Sequence, residues 1–156
     1  GKPGKNGGPA MVKLRTGEPF MPAAAYGRGL RGMSVNLLVR DVPRAVGFQT
    51  AVLGASCVYA DQDFAVLRLG AGEWMLHADH SFAEHPLLAL TGDGALRGVG
   101  VELRLYEADP DACEARARAA GAEILATCRD KPHGLRECVI LDPDGYAWVP
   151  SRPIAA

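Results

Sequence analysis

The segment HGLRECVILDPDGYAWVP, residues 133–150, contains two apolar stretches separated by Asp-Pro-Asp-Gly. Valine, isoleucine and tryptophan favour strands, whereas aspartate, proline and glycine in succession are typical of a tight turn. The segment therefore predicts a β-hairpin with strands at residues 136–141 and 146–149. The residues before this hairpin indicate the larger structural unit to which it belongs.

A strand and a helix precede the hairpin. Residues 101–109, VELRLYEAD, alternate apolar and polar side chains, which is the pattern of a half-buried strand. In the following DPDACEARARAAGAE, Asp109 suits a helix N-cap, Pro110 the first helical position and Gly121 the end of the helix. With another strand predicted at 123–127, the order of elements is β-α-β-β-β.

The same order occurs earlier in the chain. Residues 34–41, SVNLLVRD, alternate like a strand, and Asp41, Pro43 and Gly54 mark the start and end of a helix. Three further strands are predicted after it, at residues 56–60, 64–69 and 73–79. The two aspartate caps and the two glycine stops are separated by almost the same interval, which indicates one unit written twice.

The repeat predicts an α+β fold of two tandem βαβββ modules that form a curved mixed sheet around a cleft. We expect the modules at residues 34–80 and 99–156, joined by a linker at 81–98. Residues 1–10, rich in Gly, Pro and Lys, are interpreted as an expression scar. The prolines and glycines of residues 11–33 favour an extended N-terminal arm.

The composition, 48% hydrophobic and 22% charged with a formal net charge of −1, is that of an ordinary globular protein. This charge gives no basis for binding nucleic acid or an anionic membrane surface. No apolar stretch approaches the roughly 20 residues that cross a bilayer, and no export signal is recognisable. The cysteines lack C-x-x-C spacing, so we expect reduced thiols and a cytoplasmic protein. They are Cys57, Cys113, Cys128 and Cys138.

These segments resemble the vicinal oxygen chelate superfamily, which includes glyoxalase, bleomycin-resistance proteins and extradiol dioxygenases. The resemblance is carried by NLLVRDVPRAVGF and VLGA in the first copy. In the second copy it is carried by ELRLYEADPDACEARARAAGAEIL and by the opening hairpin, so that it covers about residues 34–150. It implies paired βαβββ modules, often combined across a dimer, and hence a homodimer.

In metal-using members of that superfamily, four ligands come from the first and last strands of two modules. By this resemblance the corresponding positions are Ser34, Leu76, Glu102 and Val149. Only Glu102 is a competent ligand, because leucine and valine have no donor atom and serine is a poor one. We therefore expect no metal of the usual kind and predict no cofactor.

One alternative metal site stays open. If the first hairpin aligns one residue later, His77 replaces Leu76, and Asp79 shares its strand face. Together with Glu102 these residues would form a His/Asp/Glu ligand set. In the competing interpretation His77, Asp79 and His80 are merely polar residues at the end of a strand.

Alternation along the two first strands predicts which side chains face the cleft. The apolar faces should pack on the helices, and the opposite faces carry Ser34, Asn36, Glu102, Arg104 and Tyr106. Glu102 and Arg104 can pair with each other, bind a polar ligand, or do both. Trp74 shares the face of Leu76 and is either an aromatic wall of the cleft or a core residue.

Two functions fit these features, and the sequence leaves open whether the protein is an enzyme. The first is a dimeric binding module that holds a small organic molecule without a metal, in the manner of bleomycin-resistance proteins. The predicted ligand-binding residues are Ser34, Asn36, Trp74, His77, Glu102 and Arg104. The second is a metal-dependent lyase, isomerase or dioxygenase of the glyoxalase type, with a site rebuilt around Glu102 and His77. Acid–base catalysis by Glu102 or His133 without a metal is a third possibility.

Overall fold

The structure is a computed structural model that describes residues 12–92 and 94–155. The segment interpreted as an expression scar lies outside the described residues. The first half contains α1 Ala23–Gly29, β1 Asn36–Val39, α2 Val42–Ala51, β2 Ser56–Ala60, β3 Phe64–Leu69 and β4 Gly72–Ala78. The second half contains β5 Glu102–Leu105, α3 Pro110–Ala119, β6 Ile124–Asp130, β7 Leu135–Leu141 and β8 Ala147–Pro153. Two 3₁₀ turns, Asp79–Phe82 and Pro86–Leu90, lie in the connection between the halves.

The strand order confirms the α+β fold and the two βαβββ modules. The first sheet has the order β1-β4-β3-β2 and the second the order β5-β8-β7-β6. In each sheet the first strand pairs in parallel with the last, because the helix crosses over between them, and the other pairs are antiparallel. Among the described residues these are two separate four-stranded sheets rather than one continuous ladder.

Both module helices begin at the predicted caps. Each of Asp41 and Asp109 accepts a hydrogen bond from the backbone N–H three residues later, at 2.9 Å and 3.2 Å. Such a cap typically stabilises a helix by about 1 kcal/mol. Just after the helices, Gly54 and Gly121 have φ values of 80° and 73°, a left-handed conformation that residues with a side chain rarely adopt. The repeated cap and stop therefore produce two helices of equal length.

A single apolar core joins the two modules. The rings of Trp74 and Trp148 lie 5.4 Å apart between centroids. Both indole N–H groups are satisfied, that of Trp74 by Gln49 Oε1 at 2.8 Å and that of Trp148 by Asp142 Oδ2 at 2.9 Å. The shared core indicates that neither module buries its apolar surface alone.

Side chains of the linker and of the second half also cover part of the outer edge of β1. The carbonyl oxygen of Leu38 accepts hydrogen bonds from Arg97 Nη1 at 2.9 Å and from the Tyr146 hydroxyl at 2.8 Å. The backbone N–H of Arg40 donates to Asp144 Oδ1 at 3.0 Å. Side chains rather than a backbone ladder therefore hold β1 to the second module.

The arm differs from the prediction of an extended segment. Residues Ala23–Gly29 form a short helix, and Tyr26 on this helix packs edge-on against Phe64 of β3 at 5.7 Å. The run Ala23 to Ala25 has high helix propensity, which the surrounding prolines and glycines obscured in the sequence. The remaining arm residues follow an irregular path over the first sheet.

Candidate functional site

The two faces of each sheet have different surroundings. One face packs on the helix of its module, and we call the opposite one the inner face. On β4, Trp74 and Leu76 belong to the buried core, whereas Met75 and His77 lie on the inner face. The position expected at Leu76 was therefore wrong by one residue, and His77 is the polar inner-face residue of this strand.

Trp74 likewise lies on the helix-covered face rather than on the inner face. It is 7% exposed, and its hydrogen bond to Gln49 ties it to α2. Alternation in the sequence shows which residues share a face of a strand, but not which face the helix covers. Of the two interpretations of Trp74, a wall of the cleft or a core residue, the structure therefore agrees with the core residue. Only part of the indole remains accessible, in a cavity between the modules.

Asn36 and His77 are neighbours on the inner face of the first sheet. Asn36 Oδ1 lies 2.6 Å from His77 Nδ1. An amide oxygen only accepts, so Nδ1 carries the proton and Nε2 presents a lone pair. The pKa of His77 is lowered to about 4, mainly by burial and to a smaller extent by the charges of Lys13 and His85. His77 is therefore a neutral hydrogen-bond acceptor at pH 7.

The arm covers this inner face. Asp63, 1% exposed, accepts from the backbone N–H of Leu14 at 2.8 Å and of Arg15 at 3.1 Å, and from His80 Nε2 at 2.9 Å. Burial by itself would raise the pKa of Asp63, but these donors outweigh it and hold the pKa below 3.8. Further along the arm, Phe20 stacks on Tyr59 at 4.9 Å. A cavity of about 260 Å³ remains between the arm and the sheet, with His77 in its wall.

The inner face of the second sheet carries a chain of charges instead. Arg104 Nη1 donates to Glu102 Oε2 at 2.8 Å, and Arg104 Nη2 donates to Glu137. His133 Nε2 lies 3.2 Å from the same Glu137 carboxylate. The Arg104 guanidinium also lies 5.8 Å from the centroid of the Tyr106 ring. The predicted Glu102–Arg104 pair thus exists, and Glu137 extends it.

The pKa values on this face follow from the pairing. Burial would lower the pKa of Arg104, but its bonds to Glu102 and Glu137 raise it above the usual value. Burial would raise the pKa of Glu137, but Arg104 and His133 hold it below 4.5. Sequence alternation did not identify Glu137, because it lies on β7, which the face assignment of the first strands did not include.

A cavity of about 400 Å³ lies where the start of β4 approaches β5. Its walls are mostly apolar and include Val35, Leu69, Trp74, Leu103, Leu105 and Trp148. At its rim are Glu73, Glu102, Arg104 and Glu107. Three of the predicted ligand-binding residues, Trp74, Glu102 and Arg104, therefore meet here. Asn36 and His77 lie at the other sheet, and Ser34 is exposed just ahead of β1.

The residues at the metal positions do not fit a metal. Leu76 lies on the helix-covered face, Val149 has no donor atom, and His77 on the inner face of β4 is bonded through Nδ1 to Asn36. The rebuilt set is not assembled either, because Asp79 is bound by Arg97 at 2.6 and 2.7 Å, and Glu102 is paired with Arg104. Within residues 12–92 and 94–155, no three His, Cys, Asp or Glu side chains are grouped so that they could hold an ion.

Comparisons with known proteins agree with this fold. The model of the Glyoxalase/Bleomycin resistance protein/Dioxygenase superfamily matches residues 33–149. Among solved structures, TioX from Micromonospora sp. ML1 is 26% identical with a TM-score of 0.56, over 81% of this chain and 98% of that one. A comparison with curated proteins finds no match.

Two further structures share the fold at lower identity. A glyoxalase/bleomycin resistance protein/dioxygenase family enzyme from Burkholderia phytofirmans PsJN is 20% identical with a TM-score of 0.60, over 78% of this chain and 97% of that one. A glyoxalase-related enzyme from Fulvimarina pelagi is 18% identical with a TM-score of 0.60, over 81% and 94% of the two chains. In the part of the chain that the structure describes, no helix has the length and apolarity to span a membrane.

Proposed function

This chain belongs to the Glyoxalase/Bleomycin resistance protein/Dioxygenase superfamily, and we propose that it binds a small organic molecule without a protein-held metal. The proposed site is the cavity between the modules, where Trp74, Glu102 and Arg104 meet. The observation that carries the proposal is the side-chain chemistry of the last strands. Val149 offers no donor on β8, and His77, the polar inner-face residue of β4, lies in the wall of a different cavity, whereas the cavity between the modules is retained.

The size and walls of this cavity suit a small ligand. A volume of about 400 Å³ lies within the range of small-molecule sites, roughly 300–1,000 Å³. Leu103 and Leu105 with the two indoles provide an apolar surface that favours a hydrocarbon or aromatic body. The charged side chains are confined to the rim, where they would contact the polar end of the ligand.

The rim charges favour a ligand with a cationic or donor group. Glu73, Glu102 and Glu107 accompany Arg104 there. Arg104 is already shared between Glu102 and Glu137, and Glu73 is paired with Arg68 at 2.8 Å. Four carboxylates thus accompany two guanidinium groups, which leaves an excess of negative charge. Carboxylates accept hydrogen bonds only, so an organic ammonium group complements this rim.

The experiment compares three ligands with the same ring and different charge: 2-phenylethylamine, 2-phenylethanol and 3-phenylpropionate. Binding is measured by ligand-observed NMR at pH 7 with EDTA present. We expect the amine to bind most tightly and the acid least. Ala71→Trp, which places a large ring at the exposed rim of the cavity, should abolish the preference. Ala119→Trp on the exposed surface of α3 is the matched control.

Two outcomes would overturn the proposal. One is near-stoichiometric nickel, zinc, iron or manganese in protein purified without chelator, which would favour the metal-dependent lyase, isomerase or dioxygenase instead. The other is a charge preference that Ala71→Trp leaves unchanged, because the ligand would then bind elsewhere. Wild type and Ala119→Trp should give the same affinities within error.

We further propose that the protein acts as a homodimer in the cytoplasm. The described cysteines are free thiols, in agreement with a reducing compartment. The inner face of the second sheet, with Glu102 and Tyr106 exposed, provides a surface that a second copy could cover. Light scattering during size-exclusion chromatography measures the mass directly, and a monomer at every concentration would contradict the dimer.

A further inference from the structure

The cavity under the arm is separate from the one between the modules, and the two share no wall residue. We propose that this aromatic chamber, formed by the arm and the inner face of the first sheet, is a second binding site. Its ligand would be a planar aromatic molecule that carries an O–H or N–H donor, and the arm would be its removable wall. This proposal does not depend on the function of the first cavity.

Aromatic rings are concentrated around the chamber. Phe20 stacks on Tyr59, and Phe20 and Tyr26 contact edge-on at 6.0 Å. Across the chamber, Phe64 lies 5.7 Å from Tyr26 and 4.9 Å from His77. His77 in turn packs against Phe82 at 4.5 Å. Half of the chain's Phe, Tyr and Trp residues thus take part in this single cluster. Rings at such spacings offer faces and edges against which a planar ring can stack.

On the side of the sheet, polar groups in the chamber wall define what the ligand must carry, and on the side of the arm the wall includes the cationic Lys13 and Arg15. Asp63 already accepts bonds from the arm amides and His80, and Asp61 accepts from the backbone N–H of Asp63 and Phe64 at 2.7 and 2.9 Å. His77 is different, because Asn36 holds its Nδ1 proton and Nε2 keeps a lone pair. A ligand O–H or N–H can therefore donate to Nε2 while the ring stacks on the aromatic wall.

The arm is attached in a way that allows it to open. In the part of the arm that the structure describes, the polar attachments are the amides on Asp63 and the Val12 N–H, which donates to the His80 carbonyl oxygen at 2.8 Å. Its helix α1 contains no buried residue, and Leu14 is 46% exposed. Segments with few buried contacts open at a small free energy compared with global unfolding. A ligand of the chamber would gain entry in this way and would then hold the arm closed.

The test uses 2-naphthol, which has a hydroxyl donor, and 2-methoxynaphthalene, in which a methyl group replaces that proton. Fluorescence titration of the full chain gives both affinities. A neutral hydrogen bond of ordinary strength predicts about fivefold tighter binding of 2-naphthol, with a range of roughly 2- to 13-fold. His77→Phe should remove this preference, and His133→Phe, an exposed histidine of the second module, should retain it.

Three further variants locate the ligand. Phe20→Ala should weaken both compounds, because it removes a stacking surface on the arm. Asn36→Leu, at an exposed position, releases Nδ1 and should reduce the preference even if His77→Phe fails to fold. Ala71→Trp blocks the other cavity and should change neither affinity, so this proposal can fail or succeed separately from the first one.

Protection of the arm gives an independent readout. Trypsin cuts after Lys13, Arg15, Arg28 and Arg31, all within the arm. Bound 2-naphthol should slow these cuts in wild type and not in Phe20→Ala. The proposal is overturned if the two compounds bind equally, if His77→Phe keeps the preference, or if saturation with 2-naphthol leaves arm cleavage unchanged.

Discussion

The two modules share a backbone and differ on their inner faces. The first face is aromatic and covered by the arm, whereas the second is charged and partly open. Where the first sheet places Asn36 beside His77, the second places Arg104 beside Glu137. Helix caps and strand alternation determine the repeated fold, and a few inner-face side chains determine what each copy can bind.

The difference also has a physical cause in the charges. A charged inner face is costly to cover with apolar residues of an arm, because its ionised groups would lose water without gaining polar partners. The first face has the neutral His77 among aromatic rings, so packing Phe20 and Tyr26 over it buries apolar surface, and the arm amides compensate the buried Asp63. The arm therefore covers the face on which its own amides compensate a buried carboxylate.

The largest effect is expected where the modules share their core. Trp148 is 2% exposed, and Trp148→Ala should lower the free energy of unfolding by about 3–5 kcal/mol. Because Trp148 packs on Trp74, both modules should lose stability together in one transition, as measured by urea denaturation with far-UV circular dichroism. Val99→Ala, at an 80% exposed residue, should stay within about 0.5 kcal/mol. Two separate transitions would contradict a common core.

A smaller effect, confined to the first module, is expected at the arm attachment. Asp63→Asn weakens charge-assisted bonds to two arm amides and to His80, which should lower the free energy of unfolding by about 1–3 kcal/mol. Trypsin cleavage after Arg15 should accelerate. Asp130→Asn in the second module, at an exposed aspartate, is the control. Equal cleavage rates in both variants would show that Asp63 does not hold the arm.

The Asp63 carboxylate should also make the attachment of the arm depend on pH. The pKa of Asp63 is lower in the folded protein than its ordinary 3.8. Its contribution to stability is therefore complete above the unfolded pKa, about 3.9, and is lost as the pH falls through the lower folded value. Hydrogen exchange of the Leu14 and Arg15 amides, corrected for intrinsic rates, should lose protection in this acidic range. In Asp63→Asn the protection should be weaker and independent of pH there.

The smallest effect is expected on the open face. Glu137→Gln removes one of two carboxylates from Arg104 and leaves the bond to Glu102. Partly exposed ion pairs contribute about 0.2–1 kcal/mol and are screened by salt. Urea denaturation should show a small loss that shrinks at 1 M NaCl, with Glu123→Gln as the exposed control. If Glu137→Gln lost more free energy of unfolding than Asp63→Asn, the open face would be the more important one for stability, contrary to this comparison.

The sequence predicted the features that depend on neighbouring residues. Asp41 and Asp109 cap helices because capping is local, and most strands lie where alternation placed them. The helix in the arm was missed, since Pro and Gly around residues 23–29 outweighed a short alanine run. The inner-face residue of β4 was also misassigned. A shift of one residue in the alignment of the hairpin exchanges the faces of Leu76 and His77.

The sites were harder to predict than the fold. Glu102 and Arg104 are two residues apart on one strand, so their pairing followed from periodicity. Contacts between distant segments have no such local signal. Phe20 meets Tyr59 and Arg104 meets Glu137 only after the arm and β7 are in place. The chamber under the arm therefore could not be derived from the sequence pattern.

The outer edge of β1 has a consequence for behaviour at high concentration. An unpaired strand edge is a template to which another chain can add, and such edges promote aggregation. Here the Leu38 carbonyl oxygen and the Arg40 N–H are already bonded to Arg97, Tyr146 and Asp144. Two of the groups that could recruit a foreign strand are thus occupied by the protein's own side chains, so the junction between the modules also protects part of this edge.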